Sequence, residues 1–247
     1  MVRVRVVILA GGQGARLGDC GSGKPKALVE IAGVPIIERV MAVYAGFGHT
    51  DFVVATGYKA DQVAAHFERR RGASPVAGGW QPDWTVECVD TGSLTATGGR
   101  IKRLASRLAN ETFMLTWADG VADLDVDMLL RFHHRHGKLA TVTAVRPPPR
   151  FGHLTIEDDR VSAFEEKPTA REGWINGAFF VLEPGVLEYI DGDDTAFERG
   201  PLQSLAQGQQ LMAYKHEGRW NCMETPADIA ALEQLARDKQ LPGSDKR

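Results

Sequence analysis

The residues best suited to chemistry in this chain are one glycine loop, the cations around it and two distant carboxylates. The loop reads "LAGGQGARLG" from Leu9 and follows directly on the apolar run "VRVRVVILA". Gly11, Gly12 and Gly14 let a backbone pass close to a ligand and turn N–H groups toward phosphate oxygens. Arg16 inside the loop and Lys24 and Lys26 after it set three cations beside those glycines, which suits a triphosphate. The plain alternative is a solvated basic loop. Asp119, in "TWADGVADLD", stands where a buried-looking strand gives way to a turn. A carboxylate there can hold Mg²⁺ beside phosphates, or merely close a turn with Gly120. Glu224, in "RWNCMETP", is a second candidate ligand, or else a helix-start carboxylate before "PADIAALEQ".

Other stretches compete for attention. "GDCGSGKP" (18–25) falls one residue short of a P-loop: the Ser or Thr that would ligate Mg²⁺ is replaced by Pro25, which has neither hydroxyl nor backbone N–H. It also begins well after the strand ends, so it reads as a decoy. "FEEKP" and "WINGAFF" carry Glu166, Lys167 and Asn176; Asn and Glu suit sugar hydroxyls and Lys suits a phosphate. An Asn among Trp174, Ile175, Phe179 and Phe180 needs hydrogen-bond partners if it is buried. "HHRH" at 133–136 lies late in a helix before Gly137, where cationic residues favour the helix dipole, and lacks metal-binding spacing. There is no G-x-S-x-G elbow.

These residues need elements to position them, and the chain supplies alternating ones. Strand-like runs at "VRVVILA", "DFVVATG", "TVECVD", "TFMLTWAD" and "LATVTAVRP" alternate with helix-like runs from Pro35, Ala60, Gly98 and Asp125. That alternation predicts βαβ units and a mostly parallel sheet covered by helices. "HLTIEDD", "VSAFEEKP" and "WINGAFFVLEP" predict shorter, partly antiparallel strands, and "PADIAALEQLARDKQ" a closing helix. Breaks fall at 72–84, whose tryptophans read as exposed aromatics able to serve an interface, and at 147–149.

The 247 residues suffice for a sizeable core, 43% of them hydrophobic and 25% charged, as in a soluble globular protein. A net charge of −3 argues against a nucleic-acid partner, and no apolar run reaches the roughly 18 residues of a membrane span. Three scattered cysteines suit a reducing cytoplasm.

Taken together the motifs resemble the sugar-1-phosphate nucleotidyltransferases, in particular the glucose-1-phosphate cytidylyltransferase branch, over nearly the whole chain. "LAGGQGARL" and "KPK" carry the broad resemblance; "VDTG", "TGGRIKR", "DGVADLD", "RFGHL", "EEKP", "INGAFFVLEP" and the Trp220–Thr225 stretch narrow it. The resemblance implies a Rossmann-like three-layer α/β/α fold of the GT-A-like kind, with a mostly parallel central sheet and a small antiparallel sugar-binding portion. It implies one domain: a nucleotide-binding part over about 1–120, an acceptor-binding part over about 121–225 and a closing helix over 226–240. Its chemistry is in-line attack of a sugar phosphate oxygen on the α-phosphorus of CTP, with Mg²⁺ as cofactor and no protein nucleophile. Arg16, Lys26 and Asp119 would be catalytic. Leu9, Ala10, Gly11, Gly12, Gly14, Arg16, Lys26, Thr95, Gly98, Gly99 and Arg100 would line the nucleotide site. Trp117, Gly152, Glu166, Lys167 and Asn176 would meet the sugar phosphate, and Asp119 and Glu224 would hold the metal. A homo-oligomer is implied as well.

The chain departs from the family pattern at Glu224, where Asp is usual, at Trp117, where Tyr is usual, and at Ala118, where Gly is usual; its 57–90 segment is also short. These leave open another phosphorylated or phosphonate acceptor. UTP or dTTP in place of CTP, a P-loop kinase built on Lys24, and a nucleotide-sensing subunit without turnover are the competing readings.

Overall fold

The computed structural model describes residues 3–21, 23–147, 153–157, 160–165 and 173–241. Seven strands form one sheet: β1 (Val6–Leu9), β2 (Asp51–Thr56), β3 (Thr85–Asp90), β4 (Phe113–Trp117), β5 (Ala140–Val145), β6 (Ile175–Leu182) and β7 (Leu211–His216). Their order across the sheet is β7-β5-β6-β4-β1-β2-β3. β1 pairs in parallel with β2 and β4, β2 with β3, and β5 with β7, while β6 alone runs against its neighbours β4 and β5. The helices are α1 (Ile36–Ala45), α2 (Ala60–Arg70), α3 (Thr97–Arg103), α4 (Ala105–Leu108), α5 (Val126–His136), α6 (Gly200–Gln207) and α7 (Pro226–Arg237).

β1 shows why the chain folds in three layers. All four of its residues are buried, so both faces need cover. Val6 and Ile8 face one core with Ile37, Met41, Tyr44 and Leu129, from α1 and α5. Val7 and Leu9 face the other with Ile101, Leu104, Phe180 and Phe197. The side-chain period of two along a strand thus feeds two helical layers from one run of apolar residues. The two halves expected from sequence share this sheet, because β5, β6 and β7 extend it beyond β4. Among the described residues, 153–157 and 160–165 pair with each other alone, as an antiparallel ribbon. Among the described residues no helix is long and apolar enough to cross a membrane.

One expectation is corrected here. Trp80 and Trp84 do not stand exposed in the 72–84 loop but lie in the core, edge to face at 5.9 Å. Their anchor is Glu38 on α1, itself fully buried, whose carboxylate accepts from the Trp80 backbone N–H at 2.9 Å, Arg70 Nε at 2.7 Å and His66 Nε2. Burial pushes the Glu38 carboxyl up, and those hydrogen bonds outweigh it and leave it below its usual range.

The histidines of the α5 end are structural as well. His133 is buried, with Nδ1 at 2.9 Å from Thr141 Oγ1 and Nε2 at 3.0 Å from Glu183 Oε1. His49 is buried too and accepts the Val4 N–H at Nδ1, 3.2 Å away. Burial lowers the pKa of His49, His133 and His136. A histidine held below its unfolded value takes up its proton only when the chain opens, so the unfolded state binds more protons as pH falls through about 6.5. Stability is therefore expected to be full above that pH and to fall below it. Calorimetry at pH 7.5 and 5.5 checks this, and an unchanged Tm would contradict it.

Candidate active site

β1 sends the chain to β2 and β3 on one side, and the chain returns to β4 on the other. The carboxyl ends of β1 and β4 therefore flank a topological switch point, where open α/β sheets place their ligands. A cavity of about 340 Å³ opens there. Leu9, Ala10, Gly11, Gly12, Gly14, Arg16, Lys26, Thr95, Arg100, Trp117, Asp119 and Glu224 all line it. The structure thus brings together most residues singled out in the sequence, Arg16 and Glu224 among them from 208 residues apart.

The glycines of the loop have different jobs. A Cβ on Gly11 would overlap the guanidinium of Arg100. Gly14 has φ +67°, and a Cβ there would meet Lys26 Cβ at 2.9 Å, so this glycine seats the stem of the lysine. Gly12 has open space around its missing side chain. The N–H groups of Gly12, Gln13 and Gly14 find no acceptor among the described residues, while Leu17 N–H returns to Gly14 O at 3.0 Å. Unclaimed donors beside Arg16 and Lys26 form an anion-binding concavity. We expect Gly12→Ala to keep wild-type stability and to weaken nucleotide binding, whereas Gly11→Ala weakens both. Urea unfolding and equilibrium nucleotide binding on the two variants test the difference.

Arg100 is buried and does not project into the cavity as a free cation. Its NH1 donates to Thr56 O at 2.8 Å, Thr91 Oγ1 at 2.7 Å and Gly92 O at 2.8 Å, and its NH2 donates to Gly11 O at 3.1 Å. It ties the exits of β1, β2 and β3 together. Gly57 is part of the same seat, since a Cβ there would also overlap the guanidinium. Sequence reasoning missed Gly57, although it ends β2 as Gly11 follows β1, and that parallel was a usable signal. Gly98 and Gly99 stand outside the cavity lining. Their N–H groups donate to Thr195 O at 2.9 and 3.2 Å, and a Cβ on Gly98 would meet that oxygen at 2.6 Å. They let α3 pack on the 192–197 loop. Thr97, also missed, lines the cavity; its Oγ1 donates to Glu198 Oε2 at 2.6 Å and accepts the Phe197 N–H at 2.9 Å.

The two carboxylates are brought together by a ribbon in which Gly120–Ala122 pairs with Trp220–Cys222, Cys222 opposite Gly120. The Met223 N–H then donates to Asp119 O at 2.8 Å. Glu224 is free of the helix-start role, because Thr225 and Asp228 form a capping box on α7. Instead Glu224 Oε2 accepts from Arg16 NH1 at 2.6 Å, and Asp119 Oδ2 accepts from Lys26 Nζ in a short contact. The Lys26 and Asp119 side chains are 18% and 19% exposed, those of Arg16 and Glu224 73% and 33%. The thiol of Cys222, beside this cluster, is pushed up to about 12 by burial and by Asp119, Glu224 and Asp228. Among the described residues no group of three or more His, Cys, Asp or Glu could cage a metal. Two carboxylates beside a glycine loop with unclaimed N–H donors fit a cation such as Mg²⁺, which takes waters and phosphate oxygens as its other ligands.

Lys24 lies outside the cavity, its Nζ 3.4 Å from Glu30 Oε1, and no α-helix follows it directly, as a P-loop requires. On the acceptor side, Trp117 lines the cavity and packs on Phe180 at 5.4 Å. Asn176 is exposed rather than buried, at a bulge in β6, and its side-chain oxygen accepts the Ala178 N–H at 2.8 Å. Gly152, Glu166 and Lys167 lie outside the described residues.

Comparison with known proteins agrees with this geometry. Residues 5–232 match the model of the nucleotidyl transferase family. The chain is 41% identical to a glucose-1-phosphate cytidylyltransferase of Salmonella typhi, covering 97% of this chain and 98% of that protein. It is 34% identical to a probable glucose-1-phosphate cytidylyltransferase of Bacillus subtilis, over 94% and 96% respectively. Among solved structures, HddC from Yersinia pseudotuberculosis superposes with a TM-score of 0.72 at 24% identity, covering 94% of this chain and 99% of that one, which supports the fold. The chain belongs to the nucleotidyl transferase family and is a nucleotidyltransferase.

Proposed function

We propose that the chain transfers the cytidylyl group of CTP to α-D-glucose 1-phosphate, with Mg²⁺ as cofactor, in the cytoplasm. The phosphate oxygen of the sugar attacks the α-phosphorus, the bond to the bridging oxygen of pyrophosphate breaks, and CDP-glucose and pyrophosphate are released. The observation that carries the reading is the pairing of a glycine loop with free N–H donors and two cations against two carboxylates, in a chain 41% identical over nearly its whole length to a glucose-1-phosphate cytidylyltransferase. Such a reaction needs positioning and charge stabilisation more than covalent chemistry.

The residues divide the work by place. The N–H groups of Gly12 to Gly14 hold the phosphate chain. Arg16, the more exposed cation, meets the charge of the departing pyrophosphate, and Lys26, deeper in the cavity, bridges the reacting phosphates. Asp119 and Glu224 would hold Mg²⁺, which supplies charge neutralisation of the phosphates when bound. Trp117 bounds the acceptor side, with Glu166, Lys167, Gly152 and Asn176 proposed to meet the sugar phosphate.

Pyrophosphate release tests the reading, with Mg²⁺, glucose 1-phosphate and each of CTP, UTP, dTTP and ATP. Release with CTP is the expected result. CTP binding without turnover would keep the nucleotide assignment and move the acceptor to another phosphorylated or phosphonate compound. Absence of both would overturn the function.

A further inference from the structure

Each cation of the site is held by one of the carboxylates. Arg16 lies against Glu224 at 2.6 Å and Lys26 against Asp119. A triphosphate arriving alone must draw Arg16 and Lys26 away from these partners. It would then face two bare carboxylates with its own negative charge, and Asp119 would be left part-buried without a counter-charge. A triphosphate arriving with a divalent cation meets neither cost, because phosphate takes the two cations while the carboxylates keep a positive partner. From this we infer that Glu224 is a specificity-determining residue: by holding Arg16 it makes the site discriminate against a triphosphate that lacks its divalent cation.

Glu224 suits the role better than Asp119. It hangs on the segment between the Trp220–Cys222 strand and α7, and its side chain reaches Arg16 across the cavity mouth. Among the described residues no other group is bonded to its carboxylate, and the helix cap belongs to Thr225 and Asp228. Shortening or neutralising it therefore changes the hold on Arg16 without unseating an element of the fold. The inference rests on the cytidylyl-transfer reading only in taking CTP as a probe.

The test is a double-mutant cycle on binding rather than turnover, read by calorimetry. Metal-free CTP in EDTA is titrated against wild type, Glu224→Gln, Arg16→Gln and the double variant. Glu224→Gln is expected to bind metal-free CTP about threefold more tightly than wild type, the size of effect that an exposed ion pair carries. That gain is expected to be smaller in the Arg16→Gln background, where only the direct repulsion between carboxylate and triphosphate is relieved and no hold on the arginine is released. With Mg²⁺ present the same variant is expected to bind CTP more weakly than wild type. Glu224→Asp, which keeps the charge but withdraws it by one methylene, is expected to bind metal-free CTP more tightly as Glu224→Gln does. No gain in EDTA, or a gain equally large without Arg16, overturns the inference; the second outcome would mean general charge repulsion alone. Inorganic triphosphate run through the same cycle carries the anion without the base. Coupling seen with it but no binding of CTP would sink the cytidylyl reading and leave the inference standing.

Discussion

Lys26→Met is expected to lower kcat/KM for CTP by about 10² to 10³-fold, the usual cost of removing one preorganised charge from a phosphoryl or acyl transfer site. Methionine nearly matches the length of lysine, so the loss is one of charge rather than of shape. The side chain is placed for this effect. Gly14 seats its stem, Asp119 takes its ammonium, and the pair is less than one-fifth exposed, where charge is poorly screened by water. Lys24→Met, two residues away, is expected to stay within about twofold of wild type, because its partnership with Glu30 is an exposed one of the kind that contributes little. Steady-state pyrophosphate release on the two variants decides between them. The reverse ranking would restore the P-loop reading of "GDCGSGKP".

Arg100→Met is expected to lower unfolding free energy by about 3 kcal/mol, through the loss of buried charge-assisted hydrogen bonds, and to weaken nucleotide binding with it. The guanidinium satisfies three backbone carbonyls and one hydroxyl at the exits of three strands. Without it the Gly92 carbonyl loses its donor, Thr56 O keeps only Thr91 and Gly11 O only the Tyr58 N–H, so the carbonyl that starts the glycine loop loses a tether. Arg100→Lys should rescue neither property, since an ammonium is a compact charge that cannot span acceptors set around a planar fork. The urea midpoint and the CTP affinity are the two readouts. A lysine variant equal to wild type in both would show that the clamp has no energetic role.

Arg100 also shows where the sequence stops being legible. Apart from β3, strands β1 to β6 hold runs of apolar residues bounded by turn residues, and the alternation of strands with helices specified a mostly parallel sheet but not the strand order that makes its switch point. β7 was missed, although the edge strand β3 is no more buried, because Leu211, Met212 and Ala213 are good helix formers and lack the β-branched residues that mark β3. Within the site, residue types were readable and their partners were not. A cation bound for phosphate and one bound for carbonyl oxygens look alike in a sequence, as do a glycine cleared for a ligand and one cleared for the protein's own backbone. Arg16, Lys26, Asp119 and Glu224 meet at one cavity as their motif suggested. Gly98 and Gly99 face the 192–197 loop, and Trp80 and Trp84 fill a core because a buried Glu38 holds their loop in place. Only long-range packing decides such cases.

The ribbon that joins Gly120–Ala122 to Trp220–Cys222 has a consequence for the birth of the protein. Domains emerge from the ribosome amino end first and fold at the pace of synthesis. The glycine loop, Lys26 and Asp119 are in hand early, but Arg16 and Glu224 stand 208 residues apart. Until the final strand of that ribbon docks, the nascent chain owns one carboxylate of the two and an arginine with no counterpart. A copy cut short before Trp220 would keep the glycine loop, Lys26 and Asp119 yet lack the second acidic arm entirely. With the roles proposed for Asp119 and Glu224, premature release during translation is expected to yield an inert product rather than a half-working one that would consume nucleotide.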